Sequence, residues 1–240
     1  MTDAPLPVDA RYRPTREVGE ARGAVVAIDV IRAFTTAAYA FGAGARAIYL
    51  VAGVDEALAF VAAHPGALAM GEDHGLRPDG FALPNSPARA AAAHLDGRTV
   101  VQRTSAGTQG VVAARRAERL WCGSLVVASA TAAAVEAAGL GAPTYVITGH
   151  LPERVDRPGT DDLLTARHIE AVRAGTASAA DAATVAAAVA ATDEAERTLA
   201  LGAGHVDPTD IALAVAVDRF AFAMEVTRDA EGLRLDRVDP

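Results

Sequence analysis

The chain has 240 residues, of which 51% are hydrophobic, and its 30 acidic and 22 basic residues give a formal net charge of −8. This length fits one large α/β domain or two small ones. The acidic balance, with no basic run or RNA-binding motif, argues against a nucleic-acid partner. No apolar stretch reaches the roughly 18–20 residues of a membrane-spanning helix, and the N-terminus lacks an apolar signal segment. We therefore expect no membrane partner.

The single cysteine, Cys122, excludes an internal disulfide and a cysteine-cluster metal site. This cysteine usage fits a cytoplasmic location. Cys122 lies between Trp121 and Gly123 at a predicted strand end, which favours a buried small apolar residue over a nucleophile. All basic residues are arginine, so no lysine can act as a general base. The sequence leaves homo-oligomerisation open.

Short β-branched segments alternate with alanine-rich helical patterns over the first 175 residues. Strands are predicted at 24–29, 47–51, 67–71, 99–102, 119–122 and 144–148. Helices are predicted at 33–41, 54–63, 87–94, 110–117, 126–138 and 161–174. This alternation indicates βαβ units and a mainly parallel sheet covered on both faces. Six strands are too few for an eightfold barrel, so the predicted fold class is α/β, as an open three-layer α/β/α sheet.

The last third has a different pattern. Helices are predicted at 179–199 and 210–220, with breaks at 176–178 and 202–208. The tail alternates apolar and polar residues around Glu231-Gly232, which predicts a terminal hairpin and a mixed sheet. We treat residues 1–240 as one domain. Residues 21–175 are its α/β core, and 176–240 are a helical C-terminal subregion plus the hairpin.

The most informative stretch is residues 98–117, where a β-branched run leads into Thr104, Ser105, Ala106, Gly107 and Thr108 before a helical pattern. A strand, a tight polar loop and a helix start are typical of an anion cradle, because the first N–H groups of a helix have no internal partner. Gly107 would let the backbone approach a ligand oxygen, and Ser105 and Thr108 add hydroxyl donors. An ordinary β–α turn with a Ser or Thr cap is the alternative.

In parallel sheets, ligands bind beyond the carboxyl ends of the strands. The polar residues at the predicted strand ends and helix starts beyond this loop are Asp29, Arg32, Thr35, Thr36, Glu72, His74, Gly123, Ser124 and His150. If the strands are parallel, these residues converge on one edge of the sheet. His74 and His150 are the histidines placed to act as acid–base groups.

Asp29 closes an otherwise apolar strand, where a carboxylate must be paired or hold a metal. The alternative is a cap on its own helix or a salt bridge to Arg32. Arg32 could present a bidentate fork to a phosphate, sulfonate or carboxylate. Carboxylates from separate strand ends, such as Asp29 and Glu72, suit Mg²⁺. Asp161 and Asp162 are further candidates, although they open a predicted helix and could equally compensate its dipole.

The loop at 76–90 is long and rich in proline and glycine. Ser86 followed by Pro87 is typical of a helix start, and a cap would explain Ser86 without function. A long loop beside the expected cleft is more often a ligand contact than filler, so Asn85 and Ser86 are candidates. The string GAGARA at 42–47 matches a nucleotide-binding pattern but follows a helix and precedes a strand, so it predicts a helix C-cap and turn.

Four segments together resemble the ComB family, the 2-phosphosulfolactate phosphatases, which are Mg²⁺-dependent acid phosphatases. They are IDVIRAFTTA at 28–37, GEDHGLRPDGFALPNSP at 71–87, VVQRTSAGTQG at 100–110 and WCGSLVVASA at 121–130. A weaker match is GTDDLLTARHI at 159–169. Two positions depart from the family pattern, because Phe34 interrupts the usual threonine run and Ala106 stands where many members have asparagine.

The resemblance implies a Mg²⁺ site formed by Asp29, Glu72 and one of Asp161 or Asp162. It implies substrate contacts by Arg32, Asn85, Ser86, Thr104, Gly107, Thr108 and Ser124. Because of their positions at strand ends, helix starts and in the loop, we add as candidate substrate contacts Thr35, Thr36, Ser105 and Gly123. We therefore expect a Mg²⁺-dependent phosphatase acting on a small anionic phosphate monoester similar to 2-phosphosulfolactate. Asp29 and Arg32 are the predicted catalytic residues, and either water or Asp29 attacks phosphorus. The alternatives are a non-catalytic organic-anion binding module and a family member with another ester substrate.

Overall fold

The structure is a computed structural model that describes residues 10–151 and 158–240. All six predicted strands are present, each within one residue of its predicted bounds at either end. They are β2 (Ala24–Ile28), β3 (Ala47–Leu50), β4 (Leu68–Gly71), β6 (Thr99–Arg103), β7 (Arg119–Gly123) and β8 (Thr144–Ile147). The predicted hairpin is β9 (Ala223–Asp229) and β10 (Gly232–Val238). Two short strands were not predicted, β1 (Tyr12–Pro14) and β5 (Leu83–Pro84).

The described helices follow the predicted order. They are α1 (Ala33–Gly42), α2 (Val54–Ala63), α3 (Pro87–Ala91), α4 (Gly107–Ala113), α5 (Ala128–Ala137), α6 (Thr160–Arg173), α7 (Ala179–Ala190), α8 (Asp193–Leu199) and α9 (Asp210–Ala214). A short 3₁₀ turn at Leu125–Val127 precedes α5. In the described part of the chain, no helix has the length and apolar character needed to cross a membrane.

Two helix predictions in the last third were wrong in extent. The predicted helix 179–199 is two helices, because the Thr192 hydroxyl accepts a hydrogen bond from the Ala195 N–H and starts a new helix there. The predicted helix 210–220 ends at Ala214. Asp218 takes a positive φ of 54°. Its carboxylate caps α5 by accepting from the N–H and hydroxyl of Ser129, so the chain leaves the helix to reach that position.

The predicted helices 87–94 and 110–117 were also wrong in extent. The first ends at Ala91, after which Leu95 turns into the core with no exposed surface. The second begins three residues earlier than predicted, at Gly107, and ends at Ala113. Its early start follows from the Thr104 hydroxyl, which accepts from the N–H of Thr108 and draws the loop into the first helical turn. The GAGARA string ends α1 and forms a turn, as predicted.

The sheet is mixed and mostly parallel, with the strand order β1-β8-β2-β7-β9-β10-β3-β6-β4-β5. The hairpin is not an edge feature but lies in the middle, where β9 pairs antiparallel with β7 and β10 pairs antiparallel with β3. Pairs within β1-β8-β2-β7 and within β3-β6-β4-β5 are parallel. Because three antiparallel steps separate β7 from β3, the two parallel half-sheets run in opposite senses.

Helices cover both faces of the sheet, as the three-layer prediction requires. On β2, Val25 and Ala27 belong to the cluster that includes α1 and α4, whereas Val26 and Ile28 pack with residues of α5 and α6. This alternation is the period-2 pattern of a strand buried on both faces. Residues 33–41 of α1 are all buried, and its alanines let the helix approach the sheet closely.

Leu235 in β10 of the central hairpin has no exposed surface and packs in the largest core cluster. Truncating its side chain should therefore strongly destabilise the protein. We expect Leu235→Ala to lower the free energy of unfolding by about 2–5 kcal/mol, the usual cost of truncating a buried leucine. Urea denaturation measures this change. Leu199→Ala is the matched control, since Leu199 is 45% exposed, and its effect should stay within about 0.5 kcal/mol. A loss at Leu235 below about 1 kcal/mol would contradict a core role for the hairpin.

Candidate active site

One cavity of about 410 Å³ brings together polar residues from both half-sheets. Its lining in the described part of the chain is Asp29, Ile31, Arg32, Glu72, His74, Gly75, Asn85, Ser105, Ala106, Thr148, Gly149, Leu151, Asp161, Asp162, Glu194, Arg197, Thr198 and Leu201. Among these are eight residues that the sequence singled out, namely Asp29, Arg32, Glu72, His74, Asn85, Ser105, Asp161 and Asp162. The volume lies in the usual range for small-molecule sites.

Asp29 follows β2 and begins the turn into α1. Its Oδ1 atom accepts a hydrogen bond from the N–H of Ala33 at 2.9 Å, so the predicted helix-capping role is present. Its other oxygen lies beside Gly107, where an added Cβ would approach Oδ2 to 2.7 Å. Asp29 also lines the cavity. Capping and exposure to the cavity therefore coexist in one carboxylate.

The start of α1 joins the two half-sheets. Gln102 at the end of β6 donates from Nε2 to the carbonyl of Ala33 at 2.9 Å. Gly107, the first residue of α4, packs against Ala33 and Asp29. We expected the polar residues after all strands to lie at one edge of the sheet. This is correct within each half-sheet, but the two half-sheets run in opposite senses, so their carboxyl ends do not share one edge. The loops after β2 and β6 meet because these contacts hold them together.

The loop 104–108 is closed by its own threonines. The Thr104 hydroxyl accepts from the N–H of Thr108 at 3.0 Å, and the Thr108 hydroxyl donates to the Thr104 carbonyl at 2.8 Å. Neither threonine lines the cavity, whereas Ser105 and Ala106 between them do. The threonines thus shape the loop, and Ser105 is the loop hydroxyl that borders the cavity.

Glu72, after β4, fastens this loop to its neighbour. Its carboxylate accepts from the N–H and hydroxyl of Ser105 and from the N–H of Gly75. Arg103 adds a second connection, donating to the Glu72 carbonyl at 2.8 Å and to Asp73 at 2.6 Å. Most of the hydrogen-bonding capacity of the Glu72 side chain is therefore used within the protein.

Asp161 and Asp162 differ although they are adjacent in the first turn of α6. The Asp162 oxygens accept from the N–H groups of Val30 at 3.0 Å and Gly149 at 2.8 Å, so this carboxylate ties α6 to the ends of β2 and β8. Asp161 is 3% exposed, and its Oδ1 atom has no hydrogen-bond partner in the described part of the chain. The structure thus separates a structural aspartate from an available one.

Arg32 is held by a residue that the sequence did not single out. Its Nη1 atom donates to Asp210 Oδ2 at 2.8 Å and to the His205 carbonyl at 3.0 Å. The alternative predicted for Arg32 was a salt bridge to Asp29, and the ion pair is made with Asp210 instead. Asp210 has no exposed surface and also accepts from the Ser86 hydroxyl at 2.7 Å. Ser86 caps α3, as its alternative interpretation predicted.

Eight predicted substrate contacts do not line the cavity: Thr35, Thr36, Ser86, Thr104, Gly107, Thr108, Gly123 and Ser124. Thr35 donates to the Val30 carbonyl at 2.7 Å. Gly123 accepts from the Asp29 N–H and packs against Ile28. The hydroxyls of Thr36 and Ser124 are buried without a hydrogen-bond partner in the described part of the chain. These residues surround the site rather than face the cavity.

Glu194, Arg197 and Asp210 are the functional candidates that sequence reasoning missed. Glu194 and Arg197 come from α8, whose acidic start is typical of a solvated helix. Asp210 opens a short helix after Pro208-Thr209 and looks like an ordinary first-turn acid. The helical break at 202–208 and the acidic start of α8 were visible in the sequence. Neither signal indicates which residues reach a cavity formed by other segments.

Burial and mutual repulsion make the carboxylates at this site hard to ionise. Burial and the charge of Glu72 raise the pKa of Asp29 to about 6. Hydrogen bonds from the N–H groups of Ala33 and Gly107, and the charge of Arg32, lower this pKa but do not cancel the rise. Burial, then Glu194 and Asp29, raises the pKa of Asp161 well above its ordinary value. Burial, then Asp161 and Asp29, does the same for the pKa of Asp162. Such a cluster is complementary to positive charge.

The donor set fits a hard divalent cation with few protein ligands. No group of three or more His, Cys, Asp or Glu side chains among the described residues forms a ready-made metal cluster. Mg²⁺ is often bound by one or two carboxylates, waters and substrate phosphate, so it does not need such a cluster. Asp161, with its unpartnered Oδ1, and Asp29 are the carboxylates that best meet this requirement. The hydrogen bonds of Glu72 and Asp162 favour positioning roles for those two.

The close approach at Gly107 predicts that any side chain there is damaging. A Cβ would lie 2.7 Å from both Asp29 Oδ2 and the Ala33 Cβ, which is too close without movement. We expect Gly107→Ala to lower the free energy of unfolding by about 1–3 kcal/mol, measured by urea denaturation. Gly19→Ala is the matched control, because nothing lies within 4 Å of the place that an added Cβ would occupy there. Equal stabilities for the two variants would contradict the contact.

Asp161 and Asp162 predict opposite effects of the same substitution. Asp161→Asn removes a repelling buried charge, so we expect its Tm at pH 8 in EDTA to rise by roughly 2–6 °C, as for about 1–2 kcal/mol. Asp162→Asn is the matched variant and should lower the Tm, because its amide NH₂ would face the N–H of Val30 or Gly149. Scanning calorimetry measures both values.

The wild-type protein supplies the pH control for these variants. A carboxyl whose pKa is raised by folding binds more protons in the folded state, so stability falls as pH rises from 3.8 through about 6 at Asp29. Asp161 contributes a loss of the same sign at higher pH. The gain from Asp161→Asn should therefore be larger at pH 8 than at pH 5. A gain that is independent of pH would contradict a charge origin.

Comparison with known proteins identifies the family of this chain. A family model described as 2-phosphosulpholactate phosphatase matches residues 12–207. A "Probable 2-phosphosulfolactate phosphatase" of Bacillus subtilis is 31% identical over 213 residues, covering 89% of this chain and 91% of the relative. Proteins of the same printed name from Thermus thermophilus and Carboxydothermus hydrogenoformans are 38% and 37% identical, and the matches cover 59% and 53% of this chain and 58% and 52% of the relatives. The chain belongs to the 2-phosphosulfolactate phosphatase family.

Proposed function

We propose that this protein is a Mg²⁺-dependent phosphatase that hydrolyses a phosphate monoester of a small anionic acid, of the 2-phosphosulfolactate type. The observation that carries the proposal is the cavity in which the buried carboxylates of Asp29 and Asp161 lie with the guanidinium of Arg32. Carboxylates for a cation and an arginine for phosphoryl oxygens are the groups that phosphoryl transfer needs. Membership of the family supports the substrate class.

Arg32 binds and orients the phosphoryl group. Its side chain is 3% exposed, so an interaction with a phosphoryl oxygen would occur with little competition from water. Asp210 and the His205 carbonyl hold Nη1 from within the protein, which fixes the direction of the guanidinium plane before substrate arrives. Such pre-organisation lowers the cost of stabilising charge in the transition state.

Asp29 acts directly on the reacting group. Two roles fit its position. In the first, Asp29 attacks phosphorus, the ester oxygen leaves and takes a proton from solvent, and water then hydrolyses the aspartyl-phosphate. In the second, Asp29 removes a proton from a water that attacks phosphorus as the ester oxygen leaves. The N–H of Ala33 orients the carboxylate in either role, and Gly107 leaves room for its second oxygen. Glu72 keeps the Ser105 loop against the cavity by accepting hydrogen bonds from the N–H and the hydroxyl of Ser105.

Mg²⁺ would be held by Asp29 and Asp161, and when bound it neutralises phosphoryl charge as a Lewis acid. The rest of the acidic lining positions this pair: Asp162 ties α6 to the ends of β2 and β8, and Glu72 ties the loop after β4 to the loop after β6. The two adjacent aspartates thus have different roles: Asp161 would hold the cation, and Asp162 holds α6 in place.

The decisive experiment measures phosphate release by the purified protein from 2-phosphosulfolactate and p-nitrophenyl phosphate, with Mg²⁺ or with EDTA. We expect release in Mg²⁺ and its loss in EDTA, with recovery when Mg²⁺ is restored. Tight binding of the ester without release from any substrate would identify a non-catalytic binding module and overturn the proposal. If phosphate release in EDTA equals release in Mg²⁺, the role of the cation is overturned, while the phosphatase activity stands.

Asp29→Asn tests the assignment of the reacting carboxylate. We expect kcat to fall at least about a hundredfold, the usual contribution of a positioned acid–base group. Asp55→Asn is the control, because Asp55 is exposed in the first turn of α2 and does not line the cavity. Both proteins should show the circular dichroism spectrum of the wild type. A decrease below tenfold for Asp29→Asn would remove Asp29 from the mechanism.

A further inference from the structure

The two arginines that line the cavity in the described part of the chain differ in depth. Arg32 is 3% exposed and is fixed by Asp210. The Arg197 side chain is 33% exposed and comes from α8, in the C-terminal subregion. Arg32 therefore lies among the buried carboxylates, whereas Arg197 lies where the cavity opens toward solvent. A ligand held by Arg32 at one end would extend toward Arg197.

Arg197 has hydrogen-bonding capacity that the described part of the chain does not use. Its Nη2 atom is buried and has no hydrogen-bond partner there, and the same is true of Glu194 Oε1. These two atoms form an ion pair at 3.3 Å, one turn apart on α8. The charge of Arg197 is therefore paired with Glu194, but its Nη2 N–H groups are not aligned for a hydrogen bond to that carboxylate, and a bound anion would supply an aligned acceptor. Glu194 meanwhile restricts the arginine to the cavity side of α8.

The size of the cavity leaves room for more than the phosphoryl group. Its volume of about 410 Å³ is within the range of sites that enclose whole small molecules. The buried carboxylates repel an organic anion, so a second negative group of the substrate cannot lie beside them. The guanidinium of Arg197, toward the mouth, is a favourable place for that group. Its planar fork matches the paired oxygens of a carboxylate or a sulfonate.

We infer that Arg197 is a specificity-determining residue that binds the second anionic group of the substrate, a carboxylate or sulfonate, while Arg32 binds the phosphoryl group. This inference rests on the proposed phosphatase function and adds the basis of its selectivity. Esters that carry such a group are then preferred over simple phosphate esters. Helix α8 is thereby part of the site.

The experiment compares kcat/KM for 2-phosphosulfolactate with kcat/KM for p-nitrophenyl phosphate, which lacks a carboxylate and a sulfonate. In Arg197→Ala we expect the ratio of the two values to fall at least about tenfold, the size expected for losing a charged hydrogen bond. The change should appear mainly in KM for 2-phosphosulfolactate. Arg197→Lys keeps the charge but loses the planar fork, so its ratio should lie between those of the wild type and Arg197→Ala.

Arg46→Ala is the matched control, because Arg46 is exposed, precedes β3 and pairs with Thr99 away from the cavity. Its ratio should equal that of the wild type. Equal losses on both esters in Arg197→Ala, or no loss on either, would overturn the inference and leave the phosphatase function standing. Calorimetric binding of sulfolactate, the product without phosphate, needs no turnover. If the wild type cleaves no ester, this binding still tests the role of Arg197. An affinity about tenfold weaker in Arg197→Ala than in the wild type would support the role. An unchanged affinity would overturn it.

Discussion

The site depends on the contact between Asp29 and Gly107. These residues follow β2 and β6, which belong to half-sheets that run in opposite senses on either side of the central hairpin. Only a residue without a Cβ allows the start of α4 to approach the Asp29 carboxylate and Ala33 this closely. The carboxylate in turn caps α1. One short contact thus brings the loops of two half-sheets around a shared cavity.

The buried acids divide into those that hold the structure and those that remain available to a ligand. Asp162, Glu72 and Asp210 accept several hydrogen bonds each and connect segments that are distant in sequence. Asp161 keeps an unpartnered oxygen. Such a division is physically necessary, since buried carboxylates without donors or cations are costly and too many of them would destabilise the fold. The structural acids also set the positions of Arg32 and the Ser105 loop.

This arrangement concentrates negative charge at the cost of stability. The raised pKa values of Asp29 and Asp161 mean that the ionised site opposes folding unless a cation is bound. The remainder of the molecule offsets this cost with a core buried on both faces of the sheet. The alanine content serves that core, because residues 33–41 of α1 are all buried. The hydrophobic content of 51% thus accords with close helix–sheet packing.

The sequence by itself determined the α/β class, six core strands, the terminal hairpin, the ComB-family resemblance and eight residues of the cavity lining. These are encoded locally, in β-branched runs, helical periodicity and polar residues at strand ends. The tertiary structure decided what no local pattern carries. It placed the hairpin between the half-sheets, chose Asp161 over Asp162 as the available acid, and brought Asp210, Glu194 and Arg197 to the site. These outcomes depend on contacts between segments far apart in sequence, and a single sequence does not specify which distant segments meet.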